Sequence, residues 1–178
     1  MVLGMSLSAF TQFHVALSLI GIATGFVVLF GMWSARRMEG WTAVFLATTV
    51  ATSVTGFLFP FKAIGPPHVF GVISLVLLAF AVLGYYTYRL VGRWRRIYVI
   101  GAVVSLYLNV FVGVVQAFLK IPALHALAPQ GREPPFAIAQ GLVFLAFVAF
   151  GYRAMKRFHP DRAVTIGFEL DRQPRAGL

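Results

Sequence analysis

Five stretches of this chain, 10–32, 41–59, 69–88, 97–119 and 136–155, are apolar and close to bilayer length. The first four contain no Asp, Glu, Lys or Arg, and the fifth contains only Arg153, whose long side chain can snorkel to an interface. A bilayer core of about 30 Å takes roughly 20 apolar residues per helix. Turn-forming residues separate the runs: Ser34-Ala35-Arg36-Arg37, Gly65-Pro66-Pro67, Gly92-Arg93, Pro129-Gln130-Gly131 and Pro134-Pro135. The expectation is an all-α integral membrane bundle of five transmembrane helices. It forms one domain over residues 1–157, with a cytoplasmic tail over 158–178.

Composition narrows the classes further. With 60% hydrophobic and 11% charged residues, the chain is far too apolar for intrinsic disorder. It has no cysteine, which removes disulfide scaffolds, zinc–thiolate sites and cysteine nucleophiles. The first charged residue is Arg36, beyond the first apolar run, so the basic leader of a signal peptide is missing. That first run is expected to stay as a membrane helix.

The net charge of +10 is sorted rather than spread. Arg36 and Arg37, then Arg89, Arg93, Arg95 and Arg96, then Arg153, Lys156, Arg157, Arg162, Arg172 and Arg175 fall on one side of a five-span topology. Only Lys62, Lys120 and Arg132 fall on the other. Basic loops stay cytoplasmic, which places the N-terminus outside and the C-terminus in the cytoplasm. Trp33, Trp41, Trp94 and Tyr88 cluster at the same boundary, where amphipathic rings anchor. Arginines facing anionic lipid account for the charge without any nucleic acid.

Polar residues inside apolar helices are costly unless paired, so they mark packing seams or sites. In the fourth run Gly101, Ser105, Asn109, Val112 and Gln116 share one helical face, with Lys120 a turn further. In the first, His14, Ser18, Gly21 and Gly25 do the same, and Gly21 with Gly25 forms a GxxxG pair. The second is rich in Thr and Ser, which can bond their own helix, and the fifth carries Gln140. Two readings stand: tight helix packing glued by amides, or a ligand cavity lined by Asn109, Gln116 and Gln140.

On this topology His14, His68 and His125 lie on the outer side, and His159 lies in the tail. His14 and His68 sit on different helices at comparable depth, as a two-histidine b-haem requires. With His125 they would form a three-histidine transition-metal site, and a histidine can also serve a quinone. A structural role for each histidine is the third alternative. In the tail, 164–166 reads as a short strand able to pair with a partner's sheet edge.

No Walker loop, dinucleotide glycine motif or HExxH is present, and no intramembrane carboxylate or lysine offers a proton relay. The expectation is therefore a non-enzymatic accessory subunit that packs against other membrane subunits or itself and binds lipid, quinone or another cofactor. A b-haem or metal redox protein is the first alternative, and a small permease the second.

The segment 41–55, WTAVFLATTVATSVT, continuing into Gly56-Phe57-Leu58-Phe59-Pro60, resembles a group of small proteobacterial multi-pass inner-membrane proteins. HVFGVISLVLL from His68 and YLNVFVGVVQAFLKIPALHALAP from Tyr107 carry the same resemblance. It implies a bacterial inner membrane and groups Asn109, Gln116, Lys120 and His125 in one family-typical stretch. It implies no catalytic residue. A looser similarity to small b-type cytochromes rests on histidines in helices, without the paired spacing of diheme members.

Overall fold

The computed structural model describes residues 2–60 and 65–160. The 164–166 segment and Lys62 lie outside them. The described chain is helical: α1 (Leu7–Trp33), α2 (Glu39–Gly56), α3 (Pro66–Val82), α4 (Arg93–Lys120), α5 (Pro122–Leu127) and α6 (Pro134–Arg157). Apart from one isolated bridge between Val2 and Met5, no β-pairing occurs among the described residues.

Local chemistry sets the helix ends. Ser6 caps α1 by accepting the Ala9 N–H at 3.2 Å. Pro66 opens α3, Pro122 opens α5 and Pro134 opens α6, where a missing N–H costs nothing. α3 runs into a π-helical turn, Leu83–Thr87, which widens the helix before the sharp return to α4. That return puts Arg89 and Leu90 in left-handed conformations, φ 49° and 66°, strained for residues with a Cβ. Burial of Leu90 (2% exposed) and a 2.8 Å hydrogen bond from the Arg37 guanidinium to the Arg89 carbonyl hold the turn.

Before α6, the Glu133 carboxylate accepts the N–H groups of Gln130 and Arg132, each at 2.9 Å. These bonds hold its pKa below the usual carboxylate range. A depressed carboxylate pKa stabilises at neutral pH and loses that contribution as pH falls through the folded value. Protection of the Gln130 and Arg132 amides, measured as exchange relative to the intrinsic rate at each pH, is therefore expected to fall on acidification in wild type. Glu133→Gln should abolish that acid-dependent step; an identical profile in both proteins would refute the turn's electrostatics.

α4 is the centre of the bundle and touches every other helix. Its Tyr98, Val99, Ala102 and Leu106 pack with Val28 and Leu29 of α1, Phe45 of α2, Leu78 of α3 and Phe147 of α6. α6 is peripheral: 11% of its apolar window is buried inside the protein, against 50% for α4. Phe158, just past α6, is 1% exposed and packs on Tyr98, so the chain still belongs to the core where the tail was expected to begin.

Four helical stretches are long and apolar enough to cross a membrane: Leu7–Trp33, His68–Thr87, Arg93–Lys120 and Pro134–Arg157. α2 falls short of the other four. Its Glu39, its five threonines and Ser53 dilute an 18-residue helix whose apolar side chains are otherwise typical of a span.

Contacts sort the bundle into two ends. At one, Trp33 of α1 donates to the Phe150 carbonyl of α6, and the Arg153 guanidinium lies over its ring. Arg37 reaches the turn after α3 there, and Tyr88 stacks on Trp94 at 3.8 Å. At the other, Phe10 meets Phe59, Phe57 meets His68, and Phe118 meets Phe136. The first end gathers the arginines of the 34–38 and 88–92 connections and the close of α6. The polarity of charge along the bundle is thus a property of the fold.

Candidate functional site

The two polar stripes meet. Ser18 of α1 donates to the Asn109 side-chain oxygen of α4 at 3.0 Å. Gly21, one turn along, lets α1 approach so closely that a Cβ there would lie 3.1–3.3 Å from Thr49 Oγ1, Asn109 Nδ2 and Thr48 Oγ1. Gly25 continues the seam against Leu106 and Phe45. Asn109, Ser105 and Thr49 are buried, and Asn109 Nδ2, Ser105 Oγ and Thr49 Oγ1 have no hydrogen-bonding partner in the protein. Three other α2 hydroxyls turn back on their own helix: Thr48 to Val44, Thr52 to Thr48 and Thr55 to Ala51.

The interior space nearest this seam, between Gly25, Phe45 and Leu106, measures about 10 Å³. That is about the room needed for one water. Gln140 is held elsewhere, donating to the Phe111 carbonyl of α4 at 3.2 Å, and Gln116 is exposed. Asn109, Gln116 and Gln140 therefore face different surroundings, and the first and last act as ties between helices.

The histidines also separate. His14 Nδ1 lies 2.8 Å from Thr55 Oγ1, whose own proton is directed 2.7 Å to the Ala51 carbonyl. Both contacts are satisfied when His14 donates from Nδ1, leaving the Nε2 lone pair as acceptor. The ring stands edge-on to Phe59. His68 occupies the third position of α3, and its Nδ1 accepts the Gly65 N–H at 3.2 Å, as the third residue of a capping box does. A neutral His68 then carries its proton on Nε2, which removes that nitrogen as a haem or metal ligand. His125 is exposed on α5. Among the described residues no group of three His, Asp or Glu side chains is placed to hold a metal ion. The structure does not bring His14, His68 and His125 together, and His68 serves the helix start.

One concave feature lies on the flank of the bundle and is not legible in the sequence as a site. α4 and α6 diverge to leave an apolar groove of about 360 Å³. Its floor is Val99, Val103 and Phe147, each 7% exposed or less; its rims are Ile100, Val148 and Tyr152, each at least half exposed. Volumes of about 300–1,000 Å³ are typical of small-molecule sites. The only signal in the sequence was ordinary hydrophobicity on two helix faces.

Neither protein-family models, curated proteins nor solved structures yield a match to this chain.

Proposed function

We propose that the chain is a five-span, N-out and C-in protein of a bacterial inner membrane, a non-catalytic subunit that takes up a membrane amphiphile between α4 and α6. The observation that carries this reading is the groove of about 360 Å³, open along the flank that would face lipid. A quinone headgroup needs polar partners for its two carbonyls, and this groove offers only the hydroxyls of Tyr107 and Tyr152. An acyl or isoprenoid chain needs none. Dispersion contacts and exclusion from neighbouring lipid suffice.

The fifth span is supported by connectivity. α2 starts at the arginine-rich end, where α1 stops, and finishes at the end where His14 meets Thr55. If α1 and α3 cross a bilayer, α2 has to cross with them. Its 18 residues extend about 27 Å, and the hydroxyls of Thr48, Thr52 and Thr55 are bonded within the helix. Orientation is supported by the arginines at the end shared by α1, α3 and α6.

Alkaline phosphatase fused after Gln130 is expected to be active, and fused after Gly92 to be inactive. The reverse pattern would overturn the orientation, and equal activity at both would overturn α4 as a span. For α2, a fusion after Pro60 should be active and one after Arg37 inactive, and equal activity at those two would overturn the fifth span. For the groove, solvent extraction of the purified protein should recover about one amphiphile per chain. A Val148→Trp variant, filling the groove from its rim, should recover much less. Equal recovery from both proteins would remove the groove as a binding site.

A further inference from the structure

The groove has a length and a charged end, and together they specify its occupant. On α4 it extends from Val99 to Tyr107, and on α6 from Phe144 to Met155. These advances correspond to about 12 and 16 Å of helix. A bilayer core of about 30 Å gives each leaflet about half of that. The groove is therefore one leaflet deep, and it begins at the arginine-rich end.

Each wall continues past the groove into a cation. Arg96 lies one helical turn before Ile100 on the same face of α4, and it is exposed. Lys156 lies one turn after Tyr152, its ammonium 5.6 Å from the centre of the Tyr152 ring, which forms the rim. Arg95 holds the two walls together at this level by donating to the Met155 and Phe158 carbonyls, at 3.1 and 2.8 Å. The neighbouring Arg153 is turned away onto Trp33. Arg96 and Lys156 thus continue the two walls by one helical turn at the arginine-rich end of the groove.

We infer that the occupant is an anionic phospholipid of the leaflet at the arginine-rich end, one acyl chain in the α4–α6 groove and its phosphate between Arg96 and Lys156. This rests on the amphiphile-binding reading above and adds the headgroup. A neutral isoprenoid would fill the same walls but leave the two cations without a counter-charge. A zwitterionic phospholipid would carry its own ammonium into them. A glycerol-type headgroup presents the net negative charge that the mouth complements, with a basic residue near a membrane surface contributing roughly fivefold in affinity.

The test is native mass spectrometry of the full chain in detergent, titrated separately with phosphatidylglycerol and phosphatidylcholine. Wild type should retain one phosphatidylglycerol with a preference on the order of tenfold or more. The double variant Arg96→Gln/Lys156→Gln should still retain a lipid but fall to near parity between the two. Val148→Trp should retain neither, and Ile100→Trp on the opposite rim repeats that block should the first fail to assemble. A preference that survives the double substitution overturns the inference, as does wild type without any preference. In the latter case, loss of lipid in the tryptophan variants would leave the groove reading standing. Undiminished lipid in folded tryptophan variants would overturn both.

Discussion

Gly101→Ala is expected to destabilise this protein strongly, although it adds a single methyl group. A Cβ at Gly101 would lie 2.8 Å from the backbone carbonyl oxygen of Leu77 and 3.2 Å from the Cβ of Ala81, both on α3. Neither atom is the end of a flexible side chain, so relief requires α3 and α4 to move apart. Their separation would loosen Leu78, Ala81 and Tyr98, which are buried along that contact. Overpacking of this kind costs about 1–3 kcal/mol, and a backbone clash sits at the upper end. Gly141→Ala is the matched control, because a Cβ there meets nothing within 4 Å. An exposed helical Gly→Ala change is expected to stabilise by up to about 1 kcal/mol in water, and less in lipid, where no backbone is hydrated. Unfolding midpoints in mixed micelles should fall for the first and hold or rise for the second. Equal midpoints would mean that α3 and α4 do not approach this closely.

Arg95→Leu should release the end of α6. The Arg95 guanidinium bonds to two carbonyls that close α6, those of Met155 and Phe158. A cation here also opposes the negative end of the helix dipole. Hydrogen bonds to charged groups contribute about 1.5–3 kcal/mol each, and the half-buried setting discounts this towards about 2 kcal/mol for the pair. Losing it should free Phe158 from its contact with Tyr98. Trypsin should then cut after Lys156 and Arg157 markedly faster than in wild type, while the opposite end of the bundle stays protected. Both bonds come from one nitrogen, Nη1, so Arg95→Lys retains the charge and a nitrogen able to donate twice, but on a shorter side chain, and an intermediate rate is expected. Cleavage at the wild-type rate in Arg95→Leu would show that α6 is anchored by other contacts. The same variant would also splay the walls beneath Arg96 and Lys156, so lipid preference should weaken along with protection.

The helical runs were legible because burying backbone in an apolar medium leaves few alternatives to a helix. Their ends were less so. α4 begins at Arg93 rather than near 97, and α6 runs from Pro134 to Arg157 rather than 136–155, because charge marks where lipid stops, not where a helix stops. α2 stops at Gly56 instead of 59, and α5 forms within what read as a plain connection. α2 shows the opposite limit. Its threonines lower its hydropathy below that of the other four helices, yet most of their hydroxyls are internally satisfied, which a hydropathy sum does not register.

Of the candidate residues, Ser18 and Asn109 meet, each on the polar stripe that periodicity at steps of three and four marks on its own helix. Periodicity says which side chains share a face and not which helix lies opposite. That is why Gln140 ties to Phe111 while Gln116 stays exposed. The histidines carried no spacing that could distinguish a ligand from a helix cap, and His68 is a cap.

The sequence by itself determined the helices long and apolar enough to cross a membrane and the segregation of basic residues between them, since both follow from transfer free energies that each residue carries wherever it sits. Only the tertiary structure decided that α4 is central, that α6 stands at the edge and that the two diverge into a groove. Such features arise from pairwise fit between helix faces, where a Gly against a carbonyl closes one interface and the outlines of Val103 and Phe147 leave another open. Apolar composition is the same in both cases. Shape is not.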